Sequence, residues 1–418
     1  MSNKDTFLAK ELQIGPRIIS NRFAINAMEG NDANLDGTPS EKTYRRYERL
    51  VRGGAKFIDI ESVTLQTKSR ARKYQMALLP ENVEAFKAFF KYLKDIDPEV
   101  LLVVQLNHSG EISSNEFSTR KIVKPITGYD EGEIITEEEV DEVIDSFIKA
   151  AKVFYDIGAD GVEVKLCHGY LGSNILRPYN DRDWKYGGSW ENRSSFAYKI
   201  YEGIRKVVPD ENFLVGSKIS MWEGFPGGQG CAGPDTPIMD LTESIDLCKG
   251  LEARGASFLL QSTGTILYSR AHHCPQRFKP DDAYLHMTMA KIMREAVSEK
   301  VKIIGSAYSV IGNGNNDLQG VSPEQNSLIH WSNYNIEHGY VDMVALGRQS
   351  MADPYTPIKY LEDRENEIKW CTACGGCGEL LRRQVNVGCV VYDDKEYAQS
   401  LKEQREKFGE YKFTQRMK

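Results

Sequence analysis

One repeated arrangement constrains this chain more than any other feature: a short apolar run, a loop, then a longer amphipathic stretch. Eight such runs occur, at 22–27, 56–61, 100–105, 161–165, 213–219, 257–261, 301–305 and 341–346. Runs this apolar are expected of strands covered on both faces, as in a parallel sheet wrapped by helices. The stretches between them carry helix signals. Thr136 and Glu139 make a capping box ahead of Val140, Val143, Ile144, Phe147, Ala151 and Phe154, which share one helical stripe. Phe196, Ile200 and Ile204 repeat the pattern after the turn at Gly187-Gly188-Ser189. Eight βα units in succession predict an α/β fold of the TIM (β/α)8 type rather than an open doubly wound sheet. No G-x-G-x-x-G follows a strand, which argues against a Rossmann domain. In such a barrel the site lies on the loops after the strands.

Two of those loops are long. Residues 221–240 are rich in Gly and Pro, and residues 262–283 hold His272, His273 and Cys274. Loops of this length without evident structure usually serve as lids or binding loops. The βα pattern stops near residue 363, so the expected organisation is a barrel over 1–362 and a short Cys-rich extension over 363–418. The tail at 395–418 reads as a docked helix or a frayed end. A net charge of −7 gives no electrostatic reason to expect nucleic acid or an anionic membrane. No apolar run approaches the ~20 residues of a membrane span. The N-terminus lacks a signal-type apolar core, and the expected location is the cytoplasm. Four of the eight cysteines crowd together as Cys371-x2-Cys374-x2-Cys377-x11-Cys389. In a large chain without a secretion signal, that spacing points to metal ligation before disulfides.

The block Asp160-Gly161-Val162-Glu163-Val164-Lys165-Leu166-Cys167-His168-Gly169-Tyr170-Leu171 runs on through Arg177-Pro178, Asn180-Asp181-Arg182 and Tyr186-Gly187-Gly188-Ser189-Trp190-Glu191-Asn192-Arg193. Further segments keep the same order along the chain: Ile14-Gly15-Pro16, Asn21-Arg22-Phe23, Ala27-Met28, Gln105-Leu106-Asn107-His108-Ser109-Gly110 and Asp342-Met343-Val344-Ala345-Leu346-Gly347-Arg348. Together these resemble the Old Yellow Enzyme family of FMN-dependent ene-reductases, over nearly the whole chain.

The resemblance implies a set of roles. Gln105 would hydrogen-bond the pyrimidine edge of FMN, a role that suits an amide otherwise costly to bury. Gly305-Ser306 and Gly347-Arg348 end the seventh and eighth strands, where barrels commonly bind phosphate through glycine amides and an arginine fork. After the fourth strand the family places two polar residues three apart and a tyrosine two further on. These fall here on Lys165, His168 and Tyr170. Lysine departs from the usual histidine; it is a donor that would polarise a carbonyl or meet a carboxylate, or else it turns away as a structural ion-pair partner. Tyr170 would protonate the substrate, its phenolate stabilised by Lys165 and His168. Near the flavin, Ala27 and Met28 are followed by Glu29 where threonine or cysteine is usual. Glu29 would oppose charge on the reduced ring or accept a hydrogen bond. Lys218 replaces the usual arginine, keeping the charge and losing the planar fork.

A larger branch of this family, of the 2,4-dienoyl-CoA reductase type, holds a four-iron, four-sulfur cluster after its barrel. Its spacing exceeds that of Cys371, Cys374, Cys377 and Cys389 by one residue in the second gap. Four thiolates suit an iron–sulfur cluster or zinc, and free thiols or a disulfide stay open. That branch also carries FAD and pyridine-nucleotide domains, for which these 418 residues leave no room. An external electron-donor protein, or a structural cluster, is then expected. The resemblance implies an NAD(P)H-linked alkene reductase acting on a small unsaturated carbonyl or carboxylate compound, with a homo-oligomer as a family habit. Alternatives are an oxidative flavoprotein of the amine-dehydrogenase type and an FMN/iron–sulfur electron-transfer subunit of a larger complex.

Overall fold

The computed structural model describes residues 2–125, 132–276, 281–314, 322 and 326–411. Among them eight parallel strands close into a barrel: β1 (Phe23–Ile25), β2 (Phe57–Thr64), β3 (Leu101–Asn107), β4 (Gly161–Leu166), β5 (Leu214–Ser220), β6 (Phe258–Ser262), β7 (Lys302–Gly305) and β8 (Met343–Leu346). Closure comes from β8 pairing with β1, Ala345 opposite Ala24. Each of the eight apolar runs overlaps one of these strands, and five of the strands, β2 to β6, extend past the end of the run. The outer helices include α1 (Glu41–Arg52), α2 (Val83–Ile96), α3 (Glu137–Asp156), α4 (Trp190–Val207), α5 (Thr242–Glu252) and α6 (Asp282–Ala296). The capping box forms at the start of α3, where Thr136 Oγ1 accepts from the Glu139 amide and Glu139 Oε2 accepts from the Thr136 amide. The stripe it introduces is buried from Val140 to Phe154.

The barrel interior changes character along its axis. At the N-terminal end Ala24, Phe57, Leu101, Val103, Leu214, Phe258 and Leu260 pack together, closed off by Leu12, Ile14 and Ile19 of an N-terminal hairpin. Gly216 makes room here, since a Cβ would stand 2.4 Å from the Phe258 ring. Toward the C-terminal end the inward positions turn polar: Asn26, Asp59, Gln105, Glu163, Lys165 and Lys218 are all buried. Strand β2 carries a register break between Ile60 and Val63. That bulge turns Ser62 toward Lys165 and sends Glu61 to the Gly30 amide and Arg46.

The long loops are partly structured. Residues 221–240 contain a small hairpin, Cys231–Gly233 with Thr236–Met239, and residues 262–283 contain the short helix Arg270–His273. Residues 277–280 of the second loop lie outside the described residues. The segment after the barrel has helices α7 (Gly376–Arg382) and α8 (Gln399–Phe408), with a small core of Leu380, Val387, Tyr397 and Leu401. It docks on the loop after β1. The Val387 amide donates to Gly30 O at 2.8 Å, and Asn31 Nδ2 donates to Val385 O at 3.0 Å. Of the tail, residues 412–418 lie outside the described residues.

Candidate active site

Strand β4 ends in a sharp turn that the sequence pays for in backbone strain. His168 (φ 66°) and Gly169 (φ 85°) both take left-handed conformations, which glycine tolerates and histidine rarely adopts. The reversal starts the short helix Leu171–Leu176 and leaves Tyr170 at its N-cap, 1% exposed. A Cβ on Gly169 would meet Thr265 Oγ1 at 2.7 Å, so the loop after β6 presses directly on this turn.

Lys165, His168 and Tyr170 come together with Glu29. Tyr170 Oη donates to Glu29 Oε1 at 2.7 Å, and Lys165 Nζ lies 3.7 Å from the same oxygen. Arg72 Nε holds the other oxygen, Oε2, at 3.0 Å. Lys165 Nζ also stands 3.4 Å from the centroid of the Tyr170 ring and donates to Ser62 Oγ at 3.2 Å. Lys165 therefore faces inward, and it is also ion-paired. His168 Nε2 shares a 2.6 Å hydrogen bond with Ser262 Oγ, and its ring meets His273 edge-on at 4.2 Å.

The charges differ from those expected of the sequence. Burial, followed by His273, holds His168 well below the usual histidine range, so it is neutral. Burial and then Glu29 push the Tyr170 phenol well above its ordinary value. Of the two cations expected to stabilise the phenolate, His168 is neutral while Lys165 does stand over the ring, and the hydroxyl's own hydrogen-bond partner is the Glu29 carboxylate. Burial also lowers Lys165, with Glu29 opposing. Glu29 itself ends below the usual carboxylate range, because Arg72, then Lys165 and the Tyr170 hydroxyl, outweigh its burial. Its position is fixed from behind: the Gly30 amide donates to Glu61 Oε2 at 2.8 Å, and Arg46 bridges Glu61 and Asp32.

Beneath this group lies the polar layer of the barrel. Lys218 Nζ donates to Asn26 Oδ1 at 2.9 Å, and Gln105 Nε2 donates to Glu163 Oε1 at 2.6 Å. Gln105 Oε1 is buried with no partner. An orphaned acceptor at a barrel mouth suits a ring N–H such as that of a flavin pyrimidine, and the residues present fit FMN on that ground. Asp59 and Glu163 face one another. Drawn as two anions, neither Asp59 oxygen nor Glu163 Oε2 has a hydrogen-bond partner. Burial and the neighbouring Glu163 push Asp59 well up, and burial raises Glu163 against Lys218. A shared proton satisfies both.

The remaining sequence candidates surround this centre. Ala27 and Met28 are half-buried after β1. Gly305 ends β7, and Ser306 Oγ donates to Gln261 O at 2.8 Å. Gly347 precedes Arg348, which is buried and donates from Nη2 to Pro275 O at 2.7 Å. Cys371, Cys374, Cys377 and Cys389 are free thiols, of which Cys374 is exposed. Burial pushes Cys377 up to about 12. Among the described residues no group of three or more His, Cys, Asp or Glu side chains is arranged to hold a metal ion. The four thiols do not present a formed ligand set.

Sequence reasoning missed Arg72, Asn26, Asp59 and Ser62, and named His273 only as part of a long loop. Glu163 was inside the recognised block with no role attached. A charged Asp59 within an apolar run was the one available signal, since an unpaired buried carboxylate demands an explanation.

The family model for NADH:flavin oxidoreductase / NADH oxidase matches residues 8–252. An NADH oxidase of Thermoanaerobacter brockii is 27% identical over 395 residues, covering 92% of this chain and 55% of that protein. A cinnamate reductase of Clostridium sporogenes is 26% identical, covering 97% of this chain and 61% of its own length. The chain thus spans little more than half the length of these relatives. Among solved structures, 2-naphthoyl-CoA reductase with 2-naphthoyl-CoA superposes with a TM-score of 0.77 at 22% identity, over 93% of this chain and 57% of the other. TcOYE with pHBA gives 0.65 at 20% identity, over 85% and 93%. At those identities the structural likeness speaks for the fold alone.

Proposed function

Because the chain belongs to the NADH:flavin oxidoreductase / NADH oxidase family, we propose that it is an FMN-dependent ene-reductase acting on an activated C=C of an enone or enoate. The observation that carries this reading is the meeting of Lys165, His168, Tyr170 and Glu29 above a polar barrel floor. When bound, FMN supplies the two-electron chemistry. Gln105, Lys218 and Asn26 would hold its ring, with Ala27, Met28 and Glu29 beside it, and Gly305, Ser306, Gly347 and Arg348 would hold its phosphate.

The side chains then divide the work. Lys165 Nζ and neutral His168, as donors, orient the carbonyl of the substrate and take up charge developing on its oxygen. Tyr170 Oη moves its proton from the hydrogen bond with Glu29 to the α-carbon. Its raised pKa keeps that proton in place at rest, and a carbanionic carbon is basic enough to take it. The source of electrons is NAD(P)H or a donor protein. We further propose two units, 1–362 and 363–418, with Cys371, Cys374, Cys377 and Cys389 as iron–sulfur ligands and zinc as the alternative.

The test is an anaerobic spectral titration of the purified protein, with iron and acid-labile sulfide assayed on the same sample. Bound FMN that is bleached by NADH, NADPH or photoreduction and restored by an enone supports the reading. Failure to take up FMN overturns it. Bleaching by amines without restoration by enones selects the oxidative alternative.

A further inference from the structure

Side chains alternate along a strand, so the positions that point into the barrel stack in layers. Above Phe57 and Val103 those positions are Asp59 on β2, Gln105 on β3, Glu163 and Lys165 on β4, and Lys218 on β5. In the strand register Glu163 lies opposite Gln105, and Lys165 opposite Lys218. At 1%, 0% and 2% exposure, Asp59, Glu163 and Gln105 are sealed from bulk water. Yet both Asp59 oxygens, Glu163 Oε2 and Gln105 Oε1 have no hydrogen-bond partner. Orphaned acceptors gathered in one layer ask for donors.

For Gln105 Oε1 the donor assigned above is a flavin N–H. For the carboxyl groups the missing donor is a proton. A metal ion would also answer, but Lys165 and Lys218 already bring positive charge to bear on both groups, and ammonium groups repel a further cation. The two carboxyls are not equivalent. Burial raises both. Lys218, the Gln105 amide and Asp59 then draw Glu163 back down, whereas Glu163, against Lys218, pushes Asp59 further up. Cys167 and Tyr201 also sense Glu163; burial pushes Cys167 up to about 12 and Tyr201 above its ordinary value, so both are neutral. The proton therefore belongs on Asp59, and Glu163 stays an acceptor.

That state decides how Gln105 sits. An amide has a donor at one end and an acceptor at the other, in nearly the same shape. Gln105 Nε2 donates to Glu163 Oε1 at 2.6 Å, and a carboxylate accepts from that end only. Gln105 Oε1 is thereby kept for the N–H of a bound ring. A protonated Glu163 would meet either end and release the choice. We propose that Asp59 holds a proton and donates it to Glu163 Oε2, so that Glu163 stays ionised and fixes the Gln105 amide with its oxygen toward the flavin. Asp59 is then a positioning residue, acting through Glu163 and Gln105. The inference rests on the reading of FMN as the group bound at Gln105.

The first test needs no cofactor. Infrared spectra of the apoprotein at neutral pH should contain the carbonyl stretch of a buried protonated carboxyl that Asp59→Asn lacks. In wild type that band should move on labelling the carboxyl carbon of aspartate with a heavy isotope. Absence of the band, or a band that moves with labelled glutamate instead, overturns the proposal.

The second test reads FMN affinity and midpoint potential on holoenzyme. Asparagine at position 59 keeps a donor toward Glu163 without adding charge, so Asp59→Asn should hold FMN with wild-type affinity and at the wild-type potential. Asp59→Val removes the donor, leaves Glu163 to take a proton of its own, and should weaken FMN binding roughly tenfold. Unchanged affinity in Asp59→Val overturns the positioning role. So does a potential that rises in Asp59→Asn by about 30 mV or more, a tenfold shift in a two-electron equilibrium, because a negative charge has then been removed. If wild type takes up no FMN, the function proposed above fails, while the infrared band still decides where the proton lies.

Discussion

At rest the Tyr170 hydroxyl is bonded to Glu29 Oε1, and the same oxygen faces Lys165 Nζ. Tyr170 and Lys165 both act in their protonated forms, and Glu29 helps each to keep its proton. Glu29→Gln removes that anion, so both groups deprotonate at lower pH. The alkaline limb of the alkene-reduction rate should therefore move to lower pH, with the acid side little affected. A limb that stays in place, or moves to higher pH, would separate Glu29 from the proton path. Lys165→Met probes the other partner. Losing a charged donor to the substrate carbonyl should raise KM by roughly ten- to a hundredfold, while FMN stays bound. Unchanged kinetics would return Lys165 to a purely structural role beside Glu29.

The strands explain where such a site can be built. Their apolar runs were readable because helices cover the barrel outside and Phe57, Phe258 and Leu260 fill it inside. What could not be read was the switch to a polar layer higher up. Asp59, Glu163 and Lys218 come from separate strands, and only the register brings them together. The bulge in β2 was likewise invisible, because Glu61 and Ser62 looked like the end of a strand rather than a place where the chain turns two side chains to different tasks. The αL turn at His168-Gly169 was visible only as a motif, and Arg72 reaches the site through a tertiary contact that no local pattern encodes.

The same layer yields a stability prediction. The folded pKa of Asp59 lies above its unfolded value of about 3.9. Its contribution to stability is therefore fully present below that value and is lost as pH rises toward the folded pKa. Asparagine cannot ionise, so Asp59→Asn should gain on wild type as pH rises above the unfolded carboxyl value. Thermal melts across that range check it. A difference independent of pH would mean that Asp59 is ionised throughout.

For the molecule as a whole, the barrel and the segment after it build one cleft between them. Asn31, Val385 and Val387 join the loop after β1 to the extension, while Arg382 and Cys377 reach the same space as Glu29 and His273. No helix among the described residues is long and apolar enough to cross a membrane. The account depends above all on proton delivery by Tyr170, and anaerobic stopped-flow with Tyr170→Phe examines it most directly. With the FMN photoreduced beforehand, reoxidation by an enone should slow by roughly a hundredfold or more relative to wild type. Reduction of the flavin by its donor should change little. Equal slowing of both half-reactions, or an undiminished rate with the enone, would contradict Tyr170 as the proton donor.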